Sequence, residues 1–159
     1  MDLKFQVQTK INKPVEQVFD AVYNPEKLKC YFTTAGSSGP LKEGTTVQWS
    51  FAEGDCDKIE VPVIVEKVIP NQLIRFKWDA SDGEYDAKTG KFPKPAGYKN
   101  LVEMSFESMG KNQTLVKIAE GNWKETSEGL KASYQNCQGW AQMSCFLKAY
   151  LEYDINLRQ

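Results

Sequence analysis

The side chains that could carry out chemistry in this chain are few, because its 159 residues include no histidine. Histidine-dependent triads, imidazole metal sites and the commonest general base are therefore excluded. A serine or cysteine nucleophile would need Asp, Glu, Lys or Tyr as its base, and no spacing in the sequence selects such a pair. The sequence thus predicts no catalytic residue and no cofactor.

Metal ligands are equally hard to assemble from these residues. The cysteines have no CxxC spacing and no histidine to complete a zinc site; they are Cys30, Cys56, Cys137 and Cys145. Acidic residues in two short stretches lack the glycine and terminal glutamate of a calcium loop; they are Asp55, Asp57, Asp82, Glu84 and Asp86. We therefore predict no metal site, and reduced cysteines with structural roles in the core.

The remaining candidates are large apolar or soft side chains, which suit binding rather than catalysis. Apolar walls with a few polar groups are what a small-molecule site needs. Strand parity or helical phase could direct nine such residues into a pocket, and these are Trp49, Phe51, Phe76, Trp78, Met104, Phe106, Cys137, Trp140 and Ser144. Large aromatic side chains also dominate ordinary cores, so a ligand cavity and a filled core both remain open.

Composition narrows the class of protein. Hydrophobic residues make up 41% of the chain and charged residues 26%, which is typical of a globular protein. The net charge of −1 gives no overall field that would attract DNA, RNA or anionic lipid. No apolar run approaches the ~20 residues needed to span a bilayer, and no export signal is visible at the amino terminus. We therefore expect a single cytoplasmic domain over residues 1–159 that neither binds nucleic acid nor inserts into a membrane.

Hydrophobic periodicity predicts the elements that must position these residues. Alternation indicates a first strand over 3–11, and prolines at helix starts indicate two short helices over about 14–22 and 25–31. Five further runs of alternating residues, joined mostly by short turns, predict an antiparallel sheet. The polar segment from 80 to 100 is expected to be a long loop, in which Tyr85, Phe92 and Tyr98 close a pocket, contact a partner or pack locally.

A long helix of about 40 Å is predicted over 126–153. Apolar residues at intervals of three and four define its expected buried face, and these are Leu130, Tyr134, Cys137, Ala141, Ser144, Leu147 and Leu151, with Trp140 beside them. Gly139 costs about 1 kcal/mol in mid-helix relative to alanine. We therefore expect Gly139 to mark the closest approach of the helix to the sheet.

Three motifs in order carry a resemblance to a known family. The first is PVEQVFDA at residues 14–21 followed by NPEKL at 24–28, and the second is VEKVIPNQLIRFKW at 65–78. The third is Gly139-Trp140 in the final helix, followed by Leu147 and Tyr150-Leu151-Glu152. With these motifs the chain resembles the START-like (SRPBCC) superfamily, and most closely the homologues of the heat-shock protein 90 ATPase activator.

The resemblance implies an α+β helix-grip fold, in which a curved antiparallel sheet wraps around the long carboxy-terminal helix. Such proteins often hold an apolar cavity between sheet and helix, and the superfamily includes carriers, polyketide cyclases and the co-chaperone domain. We therefore predict non-enzymatic binding of a small apolar or amphipathic molecule, lipid-like or aromatic. One alternative is a protein-interaction module whose partner is a chaperone or another protein. A second is a cyclase- or hydrolase-type enzyme, which would need a buried carboxylate or tyrosine with a perturbed pKa facing a cavity.

Overall fold

The computed structural model describes residues 2–52, 54, 58–83 and 85–158, with only the backbone of Asp82. The predictions for Asp55, Cys56, Asp57 and Glu84, and for the side chain of Asp82, lie outside the described residues. The remaining chain forms these elements in order: β1 (Leu3–Ile11), α1 (Val15–Tyr23), α2 (Pro25–Leu28), β2 (Thr46–Phe51), β3 (Ile59–Ile69), β4 (Leu73–Asp82), β5 (Lys94–Ser108), β6 (Thr114–Trp123) and α3 (Ser127–Tyr153).

The six strands form one antiparallel sheet with the order β1-β6-β5-β4-β3-β2. Consecutive strands from β2 to β6 are neighbours, and β1 joins at the far edge beside β6. The long helix α3 packs against β1, β6 and β4, and α1 packs against β5. The predicted α+β helix-grip fold is therefore confirmed, with the main core between the sheet and α3.

Alternation along β5 and β6 determines which residues point into this core. In β6 the buried positions recur every second residue from Thr114 to Glu120. In β5 the same period begins at Asn100 and continues to Phe106. Asn100 on β5 and Glu120 on β6 therefore occupy inward, buried positions although both are polar.

The predicted loop from 80 to 100 is wrong in extent. β4 continues to Asp82 and β5 begins at Lys94, with Asp82 and Lys94 as register partners, so most of this segment is a long β-hairpin. Its tip is an ordered turn, in which the Asp86 carboxylate accepts hydrogen bonds from the backbone of Lys88 and from the Thr89 hydroxyl. The segment resembled a loop because it is polar and rich in glycine and proline; it extends beyond the main core, and its residues Ala96 and Tyr98 pack against a second, smaller cluster around Ala80, Trp123 and Ala132.

The predicted buried face of α3 is wrong in the first half of the helix and at Ala141, which is exposed. Leu130 and Tyr134 are 37% and 66% exposed, whereas the helix buries Gly129, Ala132 and Ser133 instead. Gly139 is also exposed, and a Cβ atom built there meets nothing within 4 Å. The expected close approach of Gly139 to the sheet is therefore wrong; the tight position is Gly129, where a Cβ would lie 2.1 Å from the carbonyl oxygen of Lys124, in the turn that precedes the helix.

The sequence predicts no membrane-spanning segment. In the residues that the structure describes, no helix is both long enough and apolar enough to cross a bilayer.

Candidate functional site

Six aromatic rings meet between the sheet and α3, and we call them the central aromatic cluster. Its members are Phe32 from the segment after α2, Trp49 and Phe51 from β2, Phe76 and Trp78 from β4, and Trp140 from α3. Their contacts have centroid separations from 5.2 to 6.3 Å, mostly edge-to-face. Residues two apart on a strand share a face, so β2 and β4 each contribute a pair of rings to the same layer.

A buried carboxylate, that of Glu120 on β6, lies beside this cluster. The residue is 1% exposed. Its Oε1 accepts hydrogen bonds from Trp78 Nε1 at 2.7 Å and Asn100 Nδ2 at 3.2 Å. Its Oε2 accepts one from Trp140 Nε1 at 2.8 Å, and Asn136 Nδ2 donates to both oxygens. The carboxylate thereby joins the two indoles, which stack at 5.2 Å, to polar residues of β5 and α3.

The hydrogen-bond partners of this carboxylate are uncharged. Neutral indole and amide N–H groups provide every bond that the described residues make to Glu120, and no basic side chain pairs with it there. Burial raises the pKa of Glu120 above its ordinary value, while the four donors act in the opposite direction. Because an O–H on either oxygen would point at another donor, the network accommodates the ionised form.

Two buried polar atoms near these residues lack partners. In the described part of the chain, Trp49 Nε1 and Asn100 Oδ1 have no hydrogen bond. The first is a donor on a ring of the central aromatic cluster, and the second is an acceptor on a residue bound to Glu120. Buried polar groups of folded proteins are nearly always satisfied, so each atom could receive a partner from a ligand or water.

The structure brings together five of the nine residues predicted for a pocket, namely Trp49, Phe51, Phe76, Trp78 and Trp140. Met104 is buried between its register partners Ile74 and Ile118. Phe106 is buried against Phe19 of α1, at 5.3 Å, rather than against the cluster.

The two remaining candidates lie on α3. Ser144 is buried but donates its hydroxyl to the Trp140 carbonyl one turn earlier, so its donor is already used. Cys137 is only partly buried and is a free thiol.

Sequence reasoning missed Glu120, Asn100 and Asn136, the polar centre of the site. A signal was present, because Glu120 continues the inward alternation of Val116 and Ile118 on β6. Asn136 stands four residues before Trp140, and therefore on the same face of α3. Polar residues at inward positions were the sign of a buried network.

A groove of about 570 Å³ opens beside the outer part of the cluster. Its walls come from the segment after α2, the end of β2, α3 and the chain beyond it, and include Tyr31, Thr34, Gln142, Phe146 and Arg158. Tyr31 is itself fully buried, and burial raises the pKa of its phenol well above the ordinary value. Its hydroxyl donates to the Ala21 carbonyl at 2.9 Å and so holds the segment after α2 against α1.

The geometry limits what Glu120 can do chemically. A carboxylate has about four lone-pair positions, and the surrounding N–H groups already occupy them. As a general base it would have to release a donor before it could take a proton from a substrate. The arrangement therefore suits the fixed placement of a charge and of two indoles better than it suits proton transfer.

Comparison with known proteins agrees with this architecture. A solved structure from Staphylococcus saprophyticus is 24% identical with a TM-score of 0.72, and the match covers 98% of this chain and 96% of that one. A structure from Cytophaga hutchinsonii is 26% identical with a TM-score of 0.66, covering 96% and 95%. The solution structure of the Aha1 dimer from Colwellia psychrerythraea is 22% identical with a TM-score of 0.68, covering 95% and 97%.

Sequence comparison gives the family directly. A search of curated proteins finds no significant match. The model of the family described as "Activator of Hsp90 ATPase homolog 1-like protein" matches residues 12–152, which is most of the sequence. The predicted resemblance is thus confirmed, and the chain belongs to the Activator of Hsp90 ATPase homolog 1-like protein family.

Proposed function

We propose that this domain binds a small apolar or amphipathic molecule, lipid-like or aromatic, between the sheet and α3. The observation that carries the proposal is the Glu120 carboxylate, fully buried beside the central aromatic cluster and held by neutral donors. The aromatic rings would form the walls of the site, and the polar network would orient the ligand.

The energetic cost of burying Glu120 supports a functional role. Transfer of a carboxylate from water into a protein interior costs several kcal/mol, and uncharged apolar replacements are often neutral or stabilising. A core selected for stability alone has no need of this charge. Apolar walls with a few fixed polar groups are the usual composition of a ligand site, and carboxylates with a shifted pKa are often found at functional sites.

A ligand would enter by moving some of the aromatic rings. The rings are in contact, so space for a ligand has to come from side-chain rotation at the rim. Phe32, Phe51 and Trp78 are only partly buried, unlike Trp49 and Phe76 at the centre. The adjacent groove of about 570 Å³ would be the route of entry, because Arg158, one of its lining residues, lies over the rings of Phe32 and Phe51.

Native mass spectrometry of the protein purified from its own host would weigh a retained ligand. In addition, a screen of fatty acids, sterols, flavonoids and polyketide-like aromatics should give a saturable change in tryptophan fluorescence and a higher melting temperature. A ligand at one hundred times its Kd adds about 2.7 kcal/mol to the free energy of unfolding.

Two phenylalanine variants provide the control for that screen. Phe51→Leu alters the central aromatic cluster and should weaken binding of the hit. Phe19→Leu lies at the other end of the core, where the ring contacts Tyr23 and Phe106, and should change stability alone. If no compound binds, or if both variants weaken binding equally, the proposal is wrong.

A protein-interaction function is the second candidate. It is favoured by the family's description as activators of the Hsp90 ATPase and by exposed aromatic residues, with Tyr85, Phe92 and Tyr134 exposed by 40%, 53% and 66%. On this view the core is only a scaffold, and the partner is a chaperone. ATP turnover by purified Hsp90 should then rise on addition of the domain, and Tyr134→Lys should reduce the effect; unchanged turnover would contradict this function.

We also propose that residues 1–159 act as one domain in the cytoplasm. Three cysteines of the described chain, Cys30, Cys137 and Cys145, are free thiols, which fits a reducing compartment. Fractionation of the host cells, with the protein recovered in the cytosolic fraction, would test the location. Recovery with membranes or in the medium would contradict it.

A further inference from the structure

The central aromatic cluster lies between two opposite charges. On the inner side, Trp78 and Trp140 donate their indole N–H groups to the buried Glu120 carboxylate. On the outer side, the guanidinium carbon of Arg158 lies 6.0 Å from the ring centroid of Phe32 and 5.7 Å from that of Phe51.

Arg158 occupies a site that attracts cations. Besides those two rings it lies 5.8 Å from Phe146, and its Nη1 donates to the Phe32 carbonyl at 2.7 Å. A cation within about 6 Å of an aromatic centroid is attracted by the negative face of the ring. The chain therefore already places a positive group against three aromatic rings at the edge of the groove.

The buried carboxylate strengthens this preference. An indole that donates its N–H to an anion is polarised, since hydrogen bonds in a low-dielectric interior polarise their partners, and its ring face becomes more electron-rich. Two stacked indoles share this effect here. The field of Glu120 also favours a positive group and opposes a negative one, and within the described residues no cationic side chain forms an ion pair with it.

We propose that the ligand of the central aromatic cluster carries an organic cation, such as an alkylated ammonium group, on a small apolar body. This inference rests on the proposed ligand-binding function and specifies its chemical class. Arg158 holds the place of the ligand cation in this structure, and the ligand displaces it when it enters from the groove.

Three probes of nearly the same shape test the charge preference directly. Choline is the cation, neohexyl alcohol is its neutral carbon analogue, and tert-butylacetate is the corresponding anion. The probes are titrated by tryptophan fluorescence at about pH 8, far above the ordinary pKa of a glutamate. We expect choline to bind about tenfold more tightly than neohexyl alcohol, because 1.4 kcal/mol lies within the range of a partly desolvated cation–aromatic contact. The anion should bind most weakly.

Two variants identify the charges responsible. Arg158→Gln removes the internal competitor and should raise the affinity for choline several-fold. Glu120→Gln should reduce the choline affinity to that of neohexyl alcohol. Arg75→Gln is the matched control, because Arg75 points away from the inward face of Ile74 and Phe76 on β4 and pairs with Glu103, and this change should leave the ratio of affinities unaltered.

The outcomes separate this inference from the proposed function. Equal or tighter binding of the neutral or anionic probe, or no binding of choline while apolar compounds of the wider screen bind, overturns the cation preference alone. A lower choline affinity in Arg158→Gln overturns the competitor role of Arg158. If no probe and no compound of the wider screen binds, the proposed function fails as well.

Discussion

The hydrogen bond from Trp140 to Glu120 gives the sharpest test of the buried network. Trp140→Phe retains an aromatic ring but removes the Nε1–H that donates to Glu120 Oε2 at 2.8 Å. Trp49→Phe is the matched control, because Trp49 is equally buried and its Nε1 has no hydrogen-bond partner. The difference between the two variants therefore isolates the hydrogen bond from the loss of ring volume.

The size of that difference follows from the charge on Glu120. A hydrogen bond to a charged group contributes about 1.5–3 kcal/mol to stability, against about 0.5–1.5 kcal/mol for a neutral one. We expect Trp140→Phe to lower the free energy of unfolding by about 1.5–3 kcal/mol more than Trp49→Phe does at pH values above the folded-state pKa of Glu120.

The pH dependence has a definite sign. Burial raises the folded-state pKa of Glu120, so its contribution to stability is fully present below the unfolded value and is lost as the pH rises through the folded pKa. Loss of a donor raises that pKa further. The excess cost of Trp140→Phe should therefore be largest above the folded pKa and shrink as the pH falls below it.

Urea denaturation followed by far-ultraviolet circular dichroism at several pH values measures both effects without relying on tryptophan emission. The two variants should diverge as the pH rises and converge as it falls. Equal costs for Trp140→Phe and Trp49→Phe at every pH would refute the reasoning, since Glu120 would then not be an ionised acceptor.

The remaining predictions concern the helices and the segment after α2. Gly139→Ala should stabilise the protein by about 1 kcal/mol, because the position is an open site in mid-helix. Gly129→Ala should destabilise it, because the new Cβ would meet a backbone oxygen at 2.1 Å. Thermal denaturation in which Gly129→Ala is the more stable variant would contradict the observed rotation of α3. Tyr31→Phe should lower the free energy of unfolding by about 1 kcal/mol, since it removes a buried hydroxyl that donates to the Ala21 carbonyl at 2.9 Å. An unchanged free energy of unfolding would show that this hydrogen bond does not stabilise the fold. Thr126→Ala should also cost about 1 kcal/mol, because its hydroxyl accepts from the Gly129 amide at the start of α3, and Thr126→Ser, which keeps the hydroxyl, should restore stability.

The order and kind of the elements followed from the sequence alone. Alternation from Leu3 to Ile11, prolines at the starts of the two short helices, and the three-and-four spacing of the last segment each have a local physical cause. Because these signals depend on only a few neighbouring residues, they can be recognised without knowledge of the fold. The motifs also pointed to the family, which the match over residues 12–152 bears out.

Only the tertiary structure decided which faces are covered. The apolar spacing of Leu130 and Tyr134 predicted a buried face, yet in this part of α3 the buried residues are Gly129, Ala132 and Ser133. Spacing determines which residues share a helix face, whereas the packing of Ala132 with Ala80 of β4 and Trp123 of β6 determines which face is covered.

The candidate site was likewise predictable from the sequence only in part. Parity along β2 and β4 was enough to predict that Trp49, Phe51, Phe76 and Trp78 would share a face. The Glu120 network was not predictable in this way, because its donors come from β4, β5 and α3 and are brought together only when the strands pair and α3 covers them. Local periodicity determines which way a side chain points, but a buried charge becomes tolerable only when partners distant in sequence converge on it.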